Sequence, residues 1–131
     1  MATTTASLTL SSGDLTGDAL SLSTSTQLTK AGTVTGLDQT TGVARKTFTT
    51  TSIQTLIAKA DFTDDRAHKV YVRNTSTTAT ENLIVTIESQ LLGRLYAGDF
   101  MFIPFNGDQD IKITPSVSTA MTVEFLVIYE A

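Results

Sequence analysis

The residue types that could do chemistry are few. The single histidine, His68, follows Asp64, Asp65 and Arg66, and serines are plentiful. A Ser-His-Asp hydrolase needs an imidazole to take a hydroxyl proton and a carboxylate to orient the ring. No G-x-S-x-G stretch is present to lift a serine onto a strand-to-helix elbow. His68 at the head of a strand therefore reads as a solvated edge residue. Residues 64–66 read as a charged turn, or as donors of interface ion pairs. Asn106, Asp108 and Asp110 alternate like the opening of a calcium loop. Such a loop needs Gly at its sixth position and Glu at its twelfth, and here those places hold Ile111 and Val117. "NGDQD" reads better as a tight hairpin turn built on Asn106-Gly107.

Other chemistries lack their parts. Cysteine is absent, which removes thiol catalysis, disulfides and thiolate zinc sites. Gly13 and Gly17 are not followed by the Lys-Ser/Thr of a phosphate loop. The thirteen acids suit a solvated surface as well as a glycosidase cleft. "NTS" at Asn74 matches a glycosylation acceptor and reads as a chance match. Without tryptophan, the aromatic platforms left for a sugar are Tyr71, Tyr96 and Tyr129. The residues thus predict no catalytic residue, no metal and no cofactor.

Composition narrows the class further. The net charge is −4 and only 17% of residues are charged. That acidic balance argues against a nucleic-acid binder, which normally shows a basic patch. No apolar run has membrane length, and "MATTTASLTL" lacks the basic and apolar regions of a signal peptide. Threonine fills about one position in five. It is β-branched, favours extended backbone and covers a strand without charge. An uncharged Thr/Ser surface also suits burial against other protein, where charge is costly to desolvate.

These features sit on a series of short strands. Residues 1–47 contain no aromatic residue, and all nine lie from Phe48 onward. In the first region "SLTLS" and "ALSLS" alternate with period two, separated by the turn-rich "SSGDLTGD". They predict two short strands, either an edge hairpin or an arm lying on a neighbouring subunit. In the second region strands are expected at 43–51, 68–74, 83–89, 111–114 and 121–130. Another covers "FMFIPF", and a short extended piece lies in "LLGRLYAGD". Residues 53–60 fit a strand or a helical turn, with strand preferred. Many short strands separated by turns predict an all-β, antiparallel, jelly-roll-like β-sandwich. The division is a Thr/Ser-rich arm or edge hairpin over 1–47 and a sandwich core over 48–131, one domain overall.

"FMFIPF" departs from the alternation expected of a strand with one wet face. Phe100 and Phe102 share one face, and Met101 and Ile103 share the other. Leu126 and Ile128 likewise stand on the reverse of the last strand's Val123, Phe125, Val127 and Tyr129. The N-terminal segment, a neighbouring subunit, or a bulge near Pro104 that resets the parity would each explain this. Assembly is preferred, with Pro104 marking the end of the regular ladder. The candidate interface residues are Leu8, Leu10, Leu20, Leu22, Met101, Ile103, Pro104, Phe105, Leu126 and Ile128.

The last 65 or so residues carry a further pattern. A strand ends in Arg73-Asn74, a Thr/Ser loop follows, and "L-x-A-G-D-F-x-x-I-P" runs from Leu95 to Pro104. A "D-I-x-I" strand follows at Asp110–Ile113, and the terminal strand ends near an acid. This resembles small β-sandwich virion structural proteins of tailed bacteriophages, of marine and cyanobacterial phages especially. The resemblance implies a non-enzymatic capsid decoration (cement) protein on the outer surface of the virion. It would be homo-oligomeric, commonly a trimer, and would contact the major capsid protein, sometimes through an N-terminal arm. Tail, collar and baseplate proteins share the module. A carbohydrate- or receptor-binding module is the alternative from another class.

Overall fold

The computed structural model describes residues 2–15 and 17–131. Met1 and Thr16 lie outside the described residues. Met1–Asp38 and Gln39–Ala131 form two separate compact units. The boundary falls earlier than the change in aromatic content suggests, because residues 39–40 and 44–48 already pair with the last strand of the chain.

The first unit is a two-stranded antiparallel ribbon. Strand β1 (Thr5–Ser12) pairs with β2 (Leu20–Gln27) over eight residues each, with Leu10 directly opposite Leu22. Side chains alternate across a pleated ribbon. One face therefore carries Ala6, Leu8, Leu10, Leu20 and Leu22 with Ser12, Thr24 and Thr26. The other carries only Ser, Thr and Gln. Beyond β2, Leu28 donates its N–H to the Thr4 carbonyl, and Leu37 donates to the Leu28 carbonyl. Leu28 and Leu37 are buried.

The second unit is an all-β sandwich. One sheet has the order β5 (Gln54–Ile57), β10 (Ile111–Pro115), β7 (Asn82–Ile87), β8 (Gln90–Tyr96). The other runs β11 (Met121–Tyr129), β6 (His68–Asn74), β9 (Phe100–Phe105), and both β3 (Gln39–Thr40) and β4 (Ala44–Phe48) pair with β11. Every pairing is antiparallel. The partners nest: β7 with β8, β6 with β9, β5 with β10, β4 with β11. That is the order left when one long antiparallel ribbon is folded over on itself. Residues 53–60 resolve into strand β5 and then a 3-10 turn at Lys59–Asp61.

The core lies between the sheets. Val70, Val72, Val123 and Val127 from one sheet and Leu83, Val85, Ile111 and Ile113 from the other are buried. Each belongs to a strict in-out alternation, so the register of every central strand is fixed by burial.

Candidate interaction surfaces

The parity of "FMFIPF" is settled by its partner strand. Strand β9 pairs with β6 without interruption from Arg73↔Phe100 to His68↔Phe105. Met101 stands beside Val72, Ile103 beside Val70 and Phe105 beside His68, all on the core side. Met101 and Ile103 pack against the core and Phe105 is buried in it. These three proposed interface residues therefore face their own sandwich core, Phe105 buried and Met101 and Ile103 half-buried at its edge. The exposed face is the other one, with Phe100 56% and Phe102 42% exposed. No bulge resets the parity. Pro104 does not end the ladder either: it sits opposite Lys69 and the strand continues to Phe105. A proline is tolerated there because β9 is an edge strand.

The outer face of this sheet is built in cross-strand rows. Phe102, Tyr71 and Leu126 form one, and Pro104, Lys69, Ile128 and Thr40 form the next. Leu126 and Ile128 are on the outer face as expected, half-buried by their neighbours. The third row is polar: Phe100, Arg73, Glu124, Arg45. Here Arg45 Nη2 lies 2.6 Å from Glu124 Oε2, and the Tyr71 hydroxyl donates to Glu124 Oε1 at 3.0 Å. The Tyr71 hydrogen bond, aided by Arg45, holds the Glu124 carboxyl below its ordinary range. Burial and the same carboxylate raise Tyr71. Burial lowers Lys69, opposed by the Glu130 charge. This face thus joins exposed aromatic and aliphatic side chains to fixed charges of both signs.

A second apolar area lies at the edge strand β8. Between Val85↔Gly93 and Thr86↔Leu91 the register shifts, leaving Leu92 as the extra residue. A bulge locally breaks the in-out alternation, and Leu91 and Leu92 are both exposed. The ribbon supplies the third area, where Leu8, Leu10, Leu20 and Leu22 are each 39–43% exposed.

Several residues that suggested chemistry are held in local hydrogen bonds. His68 is buried, which corrects its reading as a solvated edge residue. Its Nδ1 accepts the Glu130 N–H at 3.2 Å, which leaves Nε2–H to donate to the Thr63 carbonyl at 2.8 Å. Both ring nitrogens are occupied, and the ring packs among Phe62, Phe105 and Tyr129. Asp110 caps the 3-10 turn, accepting the Lys59 N–H at 2.8 Å, while Lys59 Nζ bridges to Glu88 at 2.9 Å. Asn106 Nδ2 donates to Asp65 Oδ1 at 3.1 Å. Among the described residues, no group of three or more metal-ligating side chains converges.

The "Arg-Asn … Ala-Gly-Asp" pattern converges into a clip. Asn74 is buried; its Nδ2 donates to the Leu95 carbonyl at 3.0 Å, and its Oδ1 accepts the Ser76 N–H at 3.0 Å. The Asn74 N–H donates to the Asp99 carbonyl, and the Gly98 N–H donates to the Asn74 carbonyl. Asp99 closes its own turn by accepting the Tyr96 N–H at 2.9 Å. Gly98 has φ +83°, open to glycine at little steric cost. The pattern's residues join the β6 end to the β8–β9 turn, and the Asn74 amide, buried and hydrogen-bonded, has no room to carry a glycan. Of the tyrosines, Tyr129 is committed to the His68 cluster and Tyr71 to Glu124, while Tyr96 stands exposed.

Sequence alternation located the ribbon's leucines but missed Phe100, Phe102, Leu91 and Leu92. For Phe100 and Phe102 a signal was present: Pro104 shares their parity, and an edge proline faces solvent more readily than core. Among the described residues, no helix is long and apolar enough to cross a membrane. Comparison with protein-family models, curated proteins and solved structures finds no match for this chain.

Proposed function

We propose that this chain is a non-enzymatic structural subunit of a tailed-phage virion, a capsid decoration protein that binds the outer lattice and other copies of itself. The location rests on the resemblance of its last 65 or so residues. The observation that carries the assembly role is a surplus of apolar surface on a chain whose sandwich core is already complete. The ribbon displays four leucines, and the sheet displays Phe100 and Phe102 beside Leu126 and Ile128. Exposed apolar patches of this kind mark protein contacts. We read the nested strand order as a jelly roll, which leaves one outer sheet face free to lie on a neighbour. The mechanism is mechanical: many small contacts add up when copies are held in one array.

The test is copy number. Quantitative mass spectrometry of purified particles gives hundreds of copies for a decoration protein and few for a tail, collar or baseplate component. Absence from particles overturns the reading. Binding of a soluble glycan by the isolated chain, lost on Tyr96→Ala, would support a sugar-binding module instead.

A further inference from the structure

We propose that the Leu face of the β1–β2 ribbon docks on the same face of a second copy of this chain, as a two-fold pair centred on Leu10 and Leu22. The inference deepens the assembly reading and rests on it. A ribbon of two strands is marginal in water unless its apolar face is covered. Here one face holds every large apolar side chain and the other holds none. That one-sided pattern is what an antiparallel sheet with one packed face requires.

Charge selects the occupant. Neither β1 nor β2 contains an ionisable side chain. The sheet face of the sandwich carries Arg45, Lys69, Arg73 and Glu124. Placed under a ribbon of another copy, those groups would lose water, and the ribbon strands would offer them no charge in return. A second Leu face asks for no such desolvation, and is self-complementary about a two-fold axis. The acidic tip residues Asp14 and Asp18 set the direction. An antiparallel pair keeps the two tips at opposite ends, whereas a parallel pair would bring four carboxylates together.

Size sets the strength. Eight-residue strands in a two-stranded ribbon offer a face of roughly 27 by 10 Å. Centred on the Leu10–Leu22 row, two such faces overlap over about five residues and bury roughly 350 Å² together, well below the area of a stable free dimer. The contact is therefore weak between free chains and cumulative between copies held side by side.

The absence of cysteine makes the test direct. Leu10→Cys and Leu22→Cys, each in the full chain, place one thiol on the Leu face; Thr9→Cys and Ser23→Cys place one on the opposite face. Under mild oxidation at high protein concentration the first pair forms disulfide-linked dimers and the second pair does not. In sedimentation equilibrium at high concentration, Leu10→Ser with Leu22→Ser abolishes the weak self-association of the full chain, with the circular dichroism spectrum unchanged. Equal cross-linking from both faces, or none from either, overturns the proposal. Failure here, with the chain abundant in particles, removes this contact and leaves the assembly reading. A Leu-face dimer formed by a chain absent from particles does the reverse.

Discussion

The ribbon and the sandwich are built from the same strand chemistry and solve opposite problems. The sandwich protects its edges: β9 carries Pro104, β8 has the Leu92 bulge and Arg94, β5 is only four residues long, and β4 carries Arg45 and Lys46. Natural sheets blunt edges with such devices to avoid pairing with other chains. The ribbon has none of them on either strand. The sandwich hides its large apolar residues between two sheets, while the ribbon displays its own. On the assembly reading proposed above, one region is finished alone and the other is finished by contact. Alternation by itself is thus not a mark of a core; it marks a face that some partner must cover.

The same kind of truncation should separate the two regions most sharply. Ile113→Ala removes a fully buried side chain from the sandwich and should cost about 2–5 kcal/mol. Leu22→Ala in the ribbon should shift the unfolding of the dilute chain by less than about 0.5 kcal/mol. Tyrosine fluorescence in a denaturant titration reads this cleanly, because all three tyrosines lie in the sandwich. Equal losses from the two substitutions would show that the ribbon belongs to the sandwich's cooperative unit.

Next in size is the polar clip. Asn74→Ala strands the Leu95 carbonyl and the Ser76 N–H, which Asn74 satisfies. Leaving buried groups unpaired costs about 1–3 kcal/mol. Loss of protection at the Ser76 and Gly98 amides in hydrogen exchange would locate the damage. A smaller and more local effect is expected at two glycines of positive φ. Gly107 has φ +93°, and an added Cβ would lie 2.5 Å from the Thr63 carbonyl oxygen, the acceptor of His68. Gly17 has φ +102° and open space around it. Gly107→Ala should therefore cost the sandwich about 1–2 kcal/mol, and Gly17→Ala should leave its midpoint where it is.

Much of this comparison is legible in the sequence, for a physical reason. His68–Asn74 alternates cleanly because one face is buried and the other wet, and its strand bounds follow directly. The ribbon's leucines follow from the same period. Phe100–Phe105 defeats the rule because both faces are apolar, so only its pairing with Val70 and Val72 decides which side is inside. His68 was unreadable for a different reason. Its burial depends on Thr63 and Glu130, which are brought to it by the fold. The link from Asn74 to Gly98 and Asp99 is of the same non-local kind: sequence shows its residues, and only the strand order shows that they meet.

The smallest effect sharpens the comparison through charge. Glu124 is held below its ordinary value, near 4.5, first by the Tyr71 hydroxyl and then by Arg45. A carboxyl whose folded pKa lies below its unfolded one stabilises the fold above the unfolded value and loses that contribution as pH falls through the folded one. The sandwich should therefore weaken slightly as pH drops below about 4.5. Tyr71→Phe removes the leading cause, so the Glu124 carboxyl should titrate at higher pH by carbon-detected NMR, and the acid slope of sandwich stability should flatten. An unmoved Glu124 titration would mean that Arg45 alone sets it. The ribbon strands contain nothing that titrates, so acid should not weaken a contact made through their leucines. Loss of the Leu-face dimer in acid would therefore place ionic groups in that contact, and the charge argument for its occupant would fail.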